Sequence, residues 1–204
     1  MTDLDGVRWP RMTYDRGTLE LMTTSRGHER DNRLLSQIVL SIAEEWGIDI
    51  LDVGSMTFPR ADLDRGVEPD TTFHIRDAAA LRAQDDRDQE VDPPPDLLIE
   101  MEVTTSAIPK LPLFAAMGIP EVWRVIPDRV AIFSLQENDY VPVPASVAFP
   151  SLTDEIVTRF LVDGRTMTRP QWLRAIRAWA GNHPHSDPGG ERGESGAQAD
   201  PPST

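Results

Sequence analysis

The sequence predicts an α/β domain, and three observations carry that prediction. Residues 97–104 alternate from one face to the other as a strand does. Residues 29–46 place Leu34, Leu35, Ile38, Val39, Ile42, Ala43 and Trp46 at helical spacing. The run DLLIEMEVTTSAIPKLPLFAAMGIPEVWR at 96–124 reads as strand, loop, helix and second strand. At 204 residues the chain can build one domain with a real core. The expected division is an N-terminal arm at 1–17, a single domain at 18–180 and a disordered tail at 181–204, where Pro, Gly, Ser and charge leave almost nothing to bury.

Residues 1–13 read as an extended arm that Trp9 could anchor. TLELMT at 18–23 alternates as a first strand carrying Glu20, and the 29–46 helix follows with His28 at its start. A lone histidine there is more often a capping or surface residue; the functional alternative points it into a cleft. Gly47 ends the helix. Residues 48–58 and 67–75 read as strands around a charged hairpin-like loop, with Asp70 inside the second strand after a proline. Asp70 is either a turn aspartate or a metal ligand at a bulge. Residues 76–95 are a long loop with room for one helical turn near Ala78.

The 97–104 strand then organises the rest. Leu97, Ile99 and Met101 share one face; Leu98, Glu100 and Glu102 share the other, the two glutamates roughly 7 Å apart. A carboxylate in an apolar strand is costly unless it is paired or binds a metal. Lys110, six residues beyond the strand, is the sole lysine, against nineteen arginines. Lysine can be tuned towards neutrality by burial whereas arginine stays protonated, so composition bias alone competes with a functional choice. Ser106 is the expected N-cap of the next helix, with Pro109 and Pro112 in its first turn. Residues 121–126 and 129–135 read as a hairpin, 140–143 as an edge strand, and 154–162 and 169–180 as closing helices. The Trp172, Ile176 and Trp179 stripe on the last helix suits core or dimer packing.

Composition narrows the function. The chain has no cysteine, hence no disulfide framework or thiolate metal site. No apolar run approaches a membrane span, and the expected location is cytoplasmic. The net charge of −14 argues against broad electrostatic binding of nucleic acid, while leaving room for a local groove or a metal. Asp70, Glu100 and Lys110 are expected to converge. Two carboxylates can hold Mg²⁺ while phosphate oxygens and water complete its shell, and a lysine can orient the attacking water. The competing reading is a buried ion-pair network.

The segments EPD at 68–70, PPPDLLIEMEVTTS at 93–106, Lys110, and AAMGIPEVWRV at 115–125 resemble the PD-(D/E)XK endonuclease superfamily. Within it they are similar to the Uma-type restriction endonuclease branch. The resemblance implies a restriction-endonuclease-like mixed β-sheet flanked by helices and metal-dependent cleavage of DNA. It implies Asp70 and Glu100 as ligands of Mg²⁺ or Mn²⁺, with the backbone carbonyl of Met101 as a third. The superfamily lysine normally stands where this chain has Glu102, and Lys110 matches the position to which the branch moves it. Glu102 would then be an extra ligand or a general base, and Glu20 and His28 would lie near the cleft. The expected assembly is a homodimer. A catalytically silent binding or scaffold protein on the same fold is the rival function.

Overall fold

The structure is a computed structural model describing residues 10–83, 92–102, 106–126 and 128–185. Its centre is strand β7 (Leu97–Met101), buried at every residue. The strand is apolar on both faces except at Glu100, which suits a layer covered on each side. Leu97, Ile99 and Met101 enter the larger hydrophobic core, while Leu98 enters a smaller one with Phe114, Val122 and Ile119. Alternation along one strand therefore divides the interior into two.

Among the described residues, ten strands form two sheets. In chain order they are β1 (Arg11–Asp15), β2 (Thr18–Met22), β3 (Leu51–Gly54), β4 (Phe58–Arg60), β5 (Arg65–Val67), β6 (Thr71–His74), β7, β8 (Glu121–Ile126), β9 (Arg129–Gln136) and β10 (Asp139–Val143). The six-stranded sheet has the order β10-β9-β8-β7-β6-β3 and is mixed, because only β7 and β8 pair in parallel. That pair needs a crossover, supplied by helix α3 (Lys110–Ala116). The four-stranded sheet, β2-β1-β5-β4, is antiparallel.

Helix α1 (Arg26–Trp46) lays its apolar face on the large sheet. Ser25 caps it by accepting the His28 amide, and Gly47 ends it at φ 66°, where a glycine carries no side-chain penalty. The short α2 (Ala78–Arg82) is the helical turn expected in the long loop. Helices α4 (Asp154–Thr166) and α5 (Arg169–Asn182) close the same side as α1.

Three expectations change. Residues 11–15 are not an arm: β1 pairs with both β2 and β5. The Asp15-Arg16-Gly17-Thr18 turn permits this, with Arg16 and Gly17 both at positive φ as a tight hairpin requires. Residues 67–75 are not one strand, because the chain leaves the small sheet after Val67 and enters the large one at Thr71, with Asp70 at the passage. Ser106 is not the N-cap of α3; Pro109 holds that position and the Ser106 hydroxyl is used elsewhere. The Trp172, Ile176 and Trp179 stripe packs into the core, with Trp172 and Ile176 buried and Trp179 partly buried against them. The expectations for Trp9, for the acidic centre of the long loop and for most of the tail lie outside the described residues.

The GIPEVW run proves to be architectural. Glu121 is fully buried, and its carboxylate accepts from Trp123 Nε1 at 2.5 Å and from the amides of Val147 and Ala148 at 2.7 and 2.9 Å. It staples the segment after β10 to the start of β8. Burial raises its pKa, against the pull of these donors. We expect Glu121→Ala to destabilise the fold by about 3–5 kcal/mol, because one buried and two partly buried donors lose their acceptor. Urea unfolding would measure this, and Glu121→Gln, which retains one acceptor oxygen, should cost less.

Candidate active site

Asp70 sits where the chain crosses from the small sheet to the large one, and neighbouring groups hold it there. The Asn32 side-chain amide of α1 donates to the Asp70 carbonyl at 3.1 Å, and Asn32 Oδ1 accepts from the Thr71 hydroxyl at 2.9 Å. Both Asn32 and Asp70 are buried. The Asp70 carboxylate accepts the Met101 backbone N–H through Oδ2 at 2.8 Å. That bond sets Asp70 against the end of β7, one residue from Glu100.

Two cationic or ionisable groups meet the same carboxylate. Arg11 Nε lies 2.9 Å from Oδ1, close but not aligned as a hydrogen bond. Its Nη1 donates to the Pro69 carbonyl at 2.8 Å and also to Ser55. His28 Nε2 lies 3.3 Å from Oδ2. His28 therefore faces the site, as the functional alternative required, and its Nδ1 is buried without a hydrogen-bond partner.

Glu100 is buried on the opposite face of β7 from the α1 core, as alternation predicts. Its Oε1 is bonded to Lys110 Nζ, and its Oε2 is buried with no partner. Burial, followed by repulsion from Asp70, pushes the Glu100 pKa up to about 7, with Lys110 and Arg11 acting in the other direction. Lys110 is the first residue of α3, which aims it back at the strand it has just left. The expected trio thus converges through contacts: Asp70 against the β7 end, Glu100 on it, Lys110 on Glu100.

A cavity of about 500 Å³ opens on this group, lined by Glu100, Met101, Glu102, Lys110, Arg124 and Tyr140 among others. Asp70 does not line it; it lines a second cavity of about 410 Å³ with Arg11, Asn32 and Ser55. The two acids thus form part of the partition between two depressions.

Glu102 lines the larger cavity and Glu20 bonds to Ser106 on its wall, but both have partners other than Glu100 and Lys110. Glu102 pairs with Arg124 Nη2 at 2.9 Å on the neighbouring strand β8. Glu20 accepts from the Ser106 hydroxyl at 2.8 Å and the Ala107 amide at 2.7 Å, so it ties β2 to the connection entering α3. Sequence reasoning missed Arg11, Asn32 and Arg124. The Asp-Arg-Gly turn after 11–15 signalled a hairpin and hence a structured Arg11. Asn32, a polar residue on the apolar side of α1, was the other available signal.

The family described as "Uma2: Putative restriction endonuclease" matches residues 4–164. The chain belongs to this family. The Uma2 match spans Glu20, His28, Asp70, Glu100, Glu102 and Lys110. The crystal structure of a "putative nuclease belonging to DUF820" from Anabaena variabilis is similar in fold, with a TM-score of 0.51 at 16% identity, covering 74% of this chain and 92% of that one. No curated protein matches the sequence.

The position of Glu100 predicts how stability varies with pH. An acid whose folded pKa is raised contributes most to stability when protonated. Its contribution is complete below the ordinary value of 4.5 and is lost as pH rises through about 7. Unfolding free energy should therefore fall across that window, and Glu100→Gln should flatten much of the fall. Urea titrations at several pH values would show it; a slope left intact by the substitution would place the titration on another group.

Proposed function

We propose that this chain is a divalent-metal-dependent endonuclease that hydrolyses DNA phosphodiesters. The observation that supports this best is Glu100: a buried carboxylate beside a second acid, one oxygen held by the sole lysine and the other without a partner. A buried carboxylate oxygen left bare is costly, and a cation is the partner that suits it.

The donor set fits Mg²⁺ in number and kind. Among the described residues no three His, Cys, Asp or Glu side chains form a cluster able to hold a metal. Mg²⁺ ordinarily takes one or two carboxylates and fills its shell with water and substrate phosphate. Asp70 and Glu100 would be the carboxylates, with the Met101 carbonyl as a third oxygen; Mn²⁺ suits the same donors. When bound, the ion supplies a Lewis acid that polarises the phosphodiester and favours ionisation of water.

The chain's own groups do the rest. Lys110 Nζ orients the attacking water or donates to the charge that develops on the phosphate oxygens. Arg11 and His28 hold the Asp70 carboxylate in place. Glu100 must be deprotonated to ligate, so a proton competes with the metal below about pH 7. The α1 helix and the Asn32 contact keep Asp70 from relaxing into solvent.

One observation favours the silent-scaffold reading. Asp70 already has Arg11, His28 and the Met101 amide on it, so the site is neutralised internally without any metal. The two readings separate on cleavage. Wild type should nick plasmid or single-stranded DNA with Mg²⁺ or Mn²⁺, and Asp70→Ala, Glu100→Gln and Lys110→Ala should each lose about a hundredfold or more, in line with removal of a group acting in the transition state. Equal nicking by all four proteins would indicate a contaminant and end the enzyme reading. Mg²⁺ should also raise the melting temperature of wild type but not of Glu100→Gln. Its affinity should weaken about tenfold per pH unit below 7, as one proton is displaced. A scaffold would bind DNA without cleaving it and show no metal-dependent stabilisation.

A further inference from the structure

We infer that Arg124 is the residue that grips the nucleic-acid backbone in the larger cavity, and that Glu102 is its built-in competitor. The inference rests on the nuclease reading above and names how the substrate is held.

Arg124 stands on β8 directly in register with Glu100 on β7. Paired residues on neighbouring strands project to the same face, one strand spacing of about 4.8 Å apart. The guanidinium therefore rises beside the carboxylate that Lys110 holds, and Arg124 is itself part of the cavity wall. Its Nη2 lies 2.9 Å from Glu102 Oε1, and its carbon lies 5.8 Å from the centroid of the Phe133 ring. The ring gives the planar group a ledge that fixes its orientation.

Charge accounting selects Arg124 for the substrate. The described residues lining the cavity include three acids, Glu100, Glu102 and Asp139, and two cations, Lys110 and Arg124. Lys110 is committed to Glu100. A phosphodiester entering a cavity with an acidic excess needs a positive group that is not tied to the reacting centre, and Arg124 is the one available there. Guanidinium matches phosphate oxygens with two parallel donors, which lysine cannot do. The Glu102–Arg124 pair is partly solvated, at 31% and 27% side-chain exposure. Partly exposed pairs are worth little, so an incoming phosphate can displace the carboxylate. Glu102 occupies the place where the superfamily pattern has its lysine, and in this fold its carboxylate turns to the neighbouring strand instead of to the Glu100–Lys110 pair. It acts on substrate access through Arg124.

The test is binding, measured separately from cleavage. Fluorescence anisotropy of a labelled oligonucleotide, single-stranded and duplex, would be read in Ca²⁺ over a salt series. Arg124→Gln should raise Kd about tenfold or more, as loss of a charge-assisted contact does. It should also lower the slope of log affinity against log salt by about one. Arg124→Lys should keep the slope but recover only part of the affinity. Glu102→Gln should tighten binding several-fold. Unchanged melting temperatures would show that the variants are folded. Unchanged Kd and slope in Arg124→Gln, or weaker binding in Glu102→Gln, would overturn the inference even if wild type cleaves DNA. Wild type that binds through Arg124 yet never cleaves would sustain the inference and defeat the nuclease reading. Wild type that binds neither oligonucleotide would overturn both.

Discussion

One hydrogen bond holds the candidate site together: the Met101 amide donating to the Asp70 carboxylate at 2.8 Å. Asp70 lies at a sheet-to-sheet passage, and Glu100 lies in the middle of a buried strand, thirty residues later. Nothing in the β6–β7 pairing itself fixes the Asp70 side chain, because the register runs only from Thr71 to Phe73. The amide does so, and it is aimed by strand geometry. A charge-assisted bond of this kind is roughly twice as strong as a neutral one and is buried here, so it sets the separation of the two acids. The Glu100 carboxyl then titrates high because it is buried with Asp70 as a neighbour. The lysine that opens α3 is the compensating charge.

The legible part of the site was the part written in local periodicity. Glu100 announced itself because alternation along 97–104 is a period of two that sets a charged residue inside an otherwise apolar strand. Lys110 stood out by rarity and by its distance from the strand. Helix α1 and the β8–β9 hairpin were readable for the same reason: their signals lie within a few residues. The turn after 11–15 signalled a structured Arg11 but not its role, which depends on β1 pairing with β5 across some fifty residues, and sequence spacing carries no trace of that register. Asp70 was readable as a residue but not as a place. A proline-aspartate step looks alike whether the chain continues one strand or changes sheets.

The most distinctive segment of the family resemblance, GIPEVW, turns out to serve the scaffold. Glu121 and Trp123 are buried and bonded to each other, and Glu121 holds the segment leading to α4. A motif of this kind reports the fold more securely than the chemistry. A protein that had lost its activity would still need Glu121, since three donors, that of Trp123 buried, depend on it. The chemistry has to be argued from Asp70, Glu100 and Lys110, and above all from Glu100: a buried acid with a bare oxygen, repelled by a second acid, weakens the fold where it stands.

That cost also explains why the residue at 110 is lysine in a chain that otherwise uses arginine throughout. Arginine at the start of α3 would hold Glu100 firmly with a planar, permanently charged fork, and a bidentate pair of that kind resists displacement. Lysine makes a point contact to one oxygen and leaves the other bare, so on the proposed reading a cation could enter without first breaking a fork. Arginine is used instead where the task is to hold: Arg11 on Asp70, Arg165 on Asp31 at 2.7 Å, and Arg124 against its ring. The division follows the physics of the two side chains. On the proposed metal-dependent reading, the compact, mobile ammonium stands where protons and ions would exchange, and the rigid guanidinium stands where position must be kept.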